Sequence, residues 1–277
     1  MYELHETSDL TAPVLVAAFE GWVGAGSVGI AAAAHIAGDG PVIASFPPDL
    51  LYDYRVSRPK AIFIEGALQD IAWPSVTVKH RAIDGRDLLV ISGPEPNWHW
   101  QEFSKAVADL AGALGVAEQI SLGGIPWAAP HTRPTVVVTT ASQPDLAGDD
   151  ANTPEGKLQV PAAIALAIES YLTAQGIPAV GFWARVPHYV RGAYHPGVVA
   201  LVERVSGHTG VDIPLGSLVD DASAQRRQLG AALNARPEAR KMVERYEQAV
   251  EAPDQTAAGR DIADEIERFL KDQAEEL

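Results

Sequence analysis

The chain contains no cysteine, which excludes disulfides, a thiol nucleophile and cysteine-ligated zinc or iron–sulfur centres. It also lacks any apolar run near the roughly 18 residues that a membrane helix needs, so no membrane partner is expected. Positive charge is scarce: 21 Lys and Arg against 36 Asp and Glu leave a formal net charge of -15. That balance repels phosphate backbones and anionic lipid, so nucleic acid is not an expected partner either. The longest basic cluster, Arg226 and Arg227 in "QRRQ", reads as a solvated helix face. No G-x-S-x-G elbow offers a serine nucleophile. His188 and His195 lack the i, i+4 spacing that puts two imidazoles on one helix face. No cofactor and no metal are expected. The start "MYELHETSDL" has neither the basic beginning nor the apolar stretch of a secretory signal, which places the protein in the cytoplasm by expectation.

What remains is the pattern of an α/β protein. From the start to about residue 210, short apolar runs such as "PVLVAAF" and "PVIASF" alternate with helical patterns, the sequence form of βαβ units. "SVGIAAAAHIAG" is a helix of small residues suited to close packing, closed by Gly38. "KAIFIEG", "SVTVKHRAI" and "DLLVIS" leave no room for helices between them and read as adjacent strands, with a hairpin at Asp84-Gly85. The sheet is therefore expected to be mixed. "NWHWQEFSKAVADLAGALG" carries Trp100, Phe103, Val107, Leu110 and Leu114 on one helical stripe ended by Gly115. "AEQISLGGI", "TVVVTTAS" and "PAVGFWARV" read as further strands. "HPGVVALVERVSGHTG" reads as a further helix, and "AAIALAIESYLTAQG" as a nearly all-apolar one covered on most sides.

After about residue 216 the strand signals stop, which divides the chain into an α/β domain over 1–215 and a helical extension over 216–277. The extension holds three helical patterns. The first opens at Ser217, with Asp220 in capping-box position, and stops before Pro237. The second gathers Met242, Val243, Tyr246, Ala249 and Val250 on one face. The third repeats Ile262, Ile266, Phe269 and Leu270. Such stripes require cover from each other as a hairpin, from the α/β body or from another copy, and a homo-oligomer of three copies is the expectation.

"GWVGAGSVG" holds a G-x-G-x-x-G at Gly24, Gly26 and Gly29. A dinucleotide fingerprint wants its first glycine directly off the strand and a carboxylate about 20 residues on. Here Glu20, Gly21, Trp22 and Val23 intervene, and the second strand ends "SFPPD", with no carboxylate at its end until Asp49. The glycines read better as a sharp turn that lets a helix approach the sheet. A further reading keeps the free amides as a seat for a phosphate or carboxylate. Arg133, two residues from His131, is either a clamp for such an anion or a tie between loop groups. His188 or Glu20 would move protons in that reading, and Glu20, Glu65 and Glu95 each follow a strand. The candidate ligand-binding residues are thus Glu20, Gly21, Trp22, Gly24, Gly26, Arg133 and His188. None is assigned as catalytic.

"FEGWVGAGSVG", "LYDYRVSRP", "LLVISGPEPNWHWQEF", "SLGGIPWAAPHTRP" and "ARVPHYV", in this order, resemble the proteasome assembly chaperone 2 family in its actinobacterial form, over about residues 10 to 210. The resemblance implies a three-layer αβα sandwich with a mixed, largely parallel sheet of phosphorylase/hydrolase-like type, a small C-terminal helical unit, and homo-oligomers. It also implies a non-enzymatic role, because eukaryotic relatives hold proteasome α-subunits while the ring forms. Relatives that dock in α-ring pockets do so with a tail of hydrophobic residue, tyrosine and any residue. This sequence closes "DQAEEL", so that mode of docking is not expected.

Overall fold

The computed structural model describes residues 1–5, 9–148, 152–154 and 156–251. At its centre lies strand β2 (Val14–Glu20), in which Val14, Val16 and Ala18 face one helical layer while Leu15, Ala17 and Phe19 face the other. All six are buried, so the strand's period of two fills both faces, as parallel strands between helices require. Around it, β7 (Arg86–Pro94), β8 (Glu118–Trp127) and β10 (Ala179–Pro187) run parallel. The flanks turn antiparallel: β1 (Glu3–Leu4), β3 (Val42–Phe46) and β6 (Val76–Ile83) on one side, β9 (Val137–Ala141) on the other. The order is β1-β3-β6-β7-β2-β8-β10-β9, one mixed sheet of eight strands.

Helices α1 (Val28–Ala37) and α6 (His195–Thr209) cover one face; α3 (Trp100–Ala113) and α5 (Ile164–Ala174) cover the other. The α/β class with helices on both faces thus stands, and so do the expected central strands and the hairpin at Asp84-Gly85, where Ile83 pairs with Arg86. Phe103, fully buried, packs edge-on to Phe46 at 4.9 Å and to Phe19 at 6.1 Å. Such pairs add about 0.5–1.5 kcal/mol each beyond their buried area. On α1, small residues allow the close approach expected: a Cβ at Gly29 would lie 2.6 Å from the Leu122 carbonyl oxygen. The short helices α2 (Pro48–Leu51) and α4 (Pro144–Ala147) occupy connections.

Two expectations are corrected. "KAIFIEG" lies outside the main sheet: β4 (Lys60–Ile64) pairs only with β5 (Ala67–Ala72), a strand the sequence reading missed, in a separate ribbon. Apolar alternation suits a ribbon as well as a sheet, and pairing partners are a long-range choice. Helix α5 is covered on most sides, as expected: Ile164, Ala165, Ile168 and Leu172 are buried, and of its residues only Ser170 and Ala174 are exposed. Helix α7 (Leu218–Asn234) begins without the capping box, since Ser217 is itself helical and its side chain makes no cap bond.

Beyond residue 216, α7 packs on α6 and buries Ala222, and Leu218 and Leu229 pack against the α1/α6 core. Gln225 accepts from the His195 main-chain N–H at 2.8 Å and donates to the Ala193 carbonyl at 2.6 Å. Pro237 opens α8 (Pro237–Glu251), where its missing N–H costs nothing. The third helical pattern, at Ile262 to Leu270, lies outside the described residues.

Candidate functional site

Four parallel strands present their carboxyl ends along one edge of the sheet, at Glu20, Pro94, Trp127 and Pro187. The helix after β2, α1, lies on one face and the helix after β7, α3, on the other. The gap between the ends of β2 and β7 is therefore the topological switch point, where α/β proteins commonly seat ligands.

The glycine-rich loop starts there and is bound into the protein along its length. Gly24 bridges to Gly124; the Gly124 N–H donates to the Val23 carbonyl (2.7 Å), and the Tyr194 N–H to the Gly26 carbonyl (2.9 Å). Within the loop, the Gly24 N–H donates to the Gly21 carbonyl and the Ser27 N–H to the Gly24 carbonyl, each at 2.9 Å. Gly26 has φ +60°, and a Cβ there would meet Tyr194 Cβ at 2.8 Å. At Gly24 a Cβ would meet the Gly21 carbonyl oxygen at 2.7 Å. The space that side chains would take at all three motif glycines is filled by protein atoms. The helix start they serve is packed against β8 and Tyr194.

Glu95, just past β7, occupies the switch point itself. Its Oε1 accepts from the Ile164 N–H at 2.7 Å, and the Trp22 N–H also donates to its carboxylate. A Cβ at Gly21 would fall 2.5 Å from Glu95 Oε2, so only glycine lets the carboxylate in. Burial pushes the Glu95 carboxyl up from its ordinary range, and the two amide donors pull it back. Ile164 is the first residue of α5, whose N-cap position is held by Ala163 with no side-chain bond. Glu95 therefore serves α5 as a remote N-cap, a negative group at the positive end of the helix. The Glu95 N–H donates to the Glu20 carbonyl (2.8 Å), which brings these two candidate carboxylates side by side in the main chain, with Glu20 exposed. Glu65 sits at the turn of the β4–β5 ribbon and takes no part.

Next to the switch point, two of the conspicuous sequence stretches are tied to each other. Asn97 Oδ1 accepts from the Asp53 N–H (2.9 Å) and the Ser57 hydroxyl (3.0 Å), the Asn97 and Trp98 N–H groups donate to the Leu51 carbonyl, and the Tyr52 hydroxyl donates to the Pro94 carbonyl (2.8 Å). "LYDYRVSRP" and "GPEPNWHW" thus form one rigid corner, with Leu50 and Trp98 exposed on it.

Arg133 and His188 stand on the neighbouring loops, after β8 and β10. Arg133 is half-buried and lines a cleft of about 40 Å³ with Trp127, Arg185, Tyr194 and Val250 of α8. Arg185 stacks over the Trp127 ring at 4.2 Å. Room for a few waters or one small group fits here; a dinucleotide does not. His188 is exposed and its Nε2 lies 2.9 Å from the Tyr246 hydroxyl on α8, while the Thr132 hydroxyl donates to Glu247. Helix α8 thus rests on this rim. Beneath it His131 is buried: the Tyr189 hydroxyl accepts from its main-chain N–H (2.8 Å) and lies 2.9 Å from Nδ1. Desolvation holds the imidazole below its ordinary value, and the nearby Glu247 opposes that shift.

Of the candidates read from the sequence, Glu20, Gly21, Trp22, Gly24 and Gly26 share the loop, and Arg133 and His188 share the rim. Tyr194 stands between the groups, backing Gly26 on one side and lining the Arg133 cleft on the other. Reading the sequence missed Tyr189, Arg185 and Tyr246. The first two lie in "RVPHYV", whose aromatic and basic density was the available signal; Tyr246 is brought there only by the fold.

The sequence model of the PAC2 family matches residues 18–233. Among solved structures, a Mycobacterium tuberculosis protein of unknown function is 32% identical, covering 95% of this chain and 94% of its own, with a TM-score of 0.86. A Mycobacterium tuberculosis proteasome-assembly chaperone homologue is 33% identical with a TM-score of 0.77, covering 83% of this chain and 99% of its own. A PAC2 family protein from Streptomyces avermitilis is 34% identical with a TM-score of 0.74, again covering 83% and 99%. No curated protein is matched. No helix among the described residues is long and apolar enough to cross a membrane.

Proposed function

Because the chain belongs to the PAC2 family, we propose that it is a non-enzymatic, homo-oligomeric binding protein that assists the assembly of a proteasome-like particle by holding its α-subunits. The observation that carries this reading is the switch point. Where an α/β enzyme seats its substrate, this chain inserts its own Glu95 carboxylate against Gly21 and uses it to cap α5. The likeness to a proteasome-assembly chaperone homologue supports the choice of client. The rigid corner carrying exposed Leu50 and Trp98 supplies the kind of apolar contact such a role uses. Tagged protein drawn from native lysate is expected to bring α-subunits with it in fixed ratio. Recovery of neither α-subunits nor any other stoichiometric partner refutes the assembly role.

A second reading rests on the Arg133 cleft, whose arginine and aromatic lining suits a small anion, with the Glu20 to Gly26 loop and His188 around it. Thermal-shift measurements with phosphate, nucleosides and nucleotides decide it, since a ligand at a hundred times its dissociation constant adds about 2.7 kcal/mol. No shift with any of them, and unchanged behaviour of Arg133→Ala, removes this reading.

A further inference from the structure

Two guanidiniums line the cleft at the ends of β8 and β10, and they come from different elements, Arg133 from the loop between β8 and β9 and Arg185 from β10 itself. Arg185 is held over the Trp127 ring at 4.2 Å. A guanidinium offers five N–H donors in a fixed fork, more than a stacking contact and one ion pair use. Main-chain bonds fix the walls. The Ala129 N–H (2.8 Å) and the His188 N–H (3.0 Å) both donate to the Trp127 carbonyl, and the Arg185 N–H donates to the Val136 carbonyl (2.9 Å). Trp127 and Tyr194 are buried, so both rings are locked in place by packing. A site built this way gives up little freedom when it is filled.

The rest of the lining decides which anion suits it. Beside the two arginines, Ala128, Ala129, Pro130, Pro134, Pro187 and Val250 present carbon to the cleft. A phosphate carries four oxygens, and those turned from the guanidiniums would lie against carbon, where a polar atom without a hydrogen bond is costly. A carboxylate has two oxygens, both of which the guanidiniums can take, and its hydrocarbon then meets the alanine and proline walls. Size sets the other limit. The cleft of about 40 Å³ has room for about three water-sized groups. That suits a short acid, of about two to four carbons in all.

We propose that the Arg133–Arg185 cleft is a binding site for a short-chain monocarboxylate, its carboxylate on the two guanidiniums and its hydrocarbon against Ala129 and the neighbouring prolines. This rests on the second reading above, that the cleft takes a small anion, and is independent of the client.

Calorimetric titration of the full chain with butyrate, acetate, inorganic phosphate and the neutral isostere butyramide tests it. Butyrate is expected to bind more tightly than acetate, by up to about fourfold for each added methylene that is buried. Phosphate is expected to compete for the same site at least about tenfold more weakly, and butyramide to show no binding. Arg133→Gln is expected to weaken butyrate at least about tenfold, since a hydrogen bond to a charged group is lost. Ala129→Leu, which leaves both arginines in place and narrows the cleft, is expected to weaken butyrate more than acetate. Far-ultraviolet dichroism checks that each variant is folded. Phosphate binding as tightly as butyrate overturns the carboxylate assignment and leaves the small-anion reading standing. Binding of neither removes both. Butyramide binding as tightly as butyrate, or a folded Arg133→Gln or Ala129→Leu protein with wild-type affinity for butyrate, also overturns the proposal.

Discussion

Replacing Gly29 by alanine puts a methyl group 2.6 Å from the Leu122 carbonyl oxygen and 3.0 Å from Gly123 Cα. Both contacts are main chain in a central strand, so neither can swing aside, and α1 must lift away from β8. Overpacking of this kind costs about 1–3 kcal/mol, and the absence of a flexible neighbour argues for the upper half of that range. Against it stands the helix propensity of alanine, worth about 1 kcal/mol over glycine in a helix interior. The net expectation is a loss of about 1–2 kcal/mol, or roughly 2–8 °C in Tm for a domain of this size.

Gly207 is the control. It lies inside α6, and a Cβ there meets nothing within 4 Å, so Gly207→Ala collects the propensity gain alone and is expected to stabilise by about 0.5–1 kcal/mol. Urea unfolding of the two variants, with wild-type m-values, reads the difference as opposite signs. A Gly29→Ala protein as stable as wild type, or stabilised alongside Gly207→Ala, would falsify the claim that this glycine is kept for the contact between helix and strand.

Two further expectations follow, one from the switch point and one from the rim. Glu95→Ala removes the group that caps α5 and receives the Trp22 N–H, a loss of about 1–2 kcal/mol. Hydrogen exchange at the Ile164 amide should rise with it; an unchanged Ile164 amide refutes the remote cap. His131 is held below its ordinary value of 6.5 by burial, so the folded state resists protonation more than the unfolded chain does. Its contribution to stability is complete above about pH 6.5 and is lost as pH falls below that value. Melting curves of His131→Phe are expected to fall less steeply between pH 7 and 5 than those of wild type. Equal slopes remove His131 from the acid response.

Much of the body was legible because it is local. "PVLVAAF" could be read as a central strand from its apolar run, the Asp84-Gly85 hairpin from its turn residues, and α1 from small residues closed by Gly38. Reading G-x-G-x-x-G as a turn, with Gly29 in a close helix–strand contact, agrees with the geometry, because residues crowding the loop had already spoiled the fingerprint. The capping box at Ser217 failed for the opposite reason: a local signal yielded to the path by which α7 joins the α6 layer.

What the sequence alone determined is therefore the period and punctuation of the elements and the family they resemble. These depend on which side chains can share a face and which turns the backbone can make, and both are settled within a few residues. Only the tertiary structure decided that β4 and β5 leave the sheet, that α8 rests on Thr132 and His188, and that Glu95 fills the switch point. Glu95 and Ile164 are 69 residues apart. A carboxylate finds a distant helix terminus by the free energy of burying both together, and that is not written in the neighbourhood of either residue.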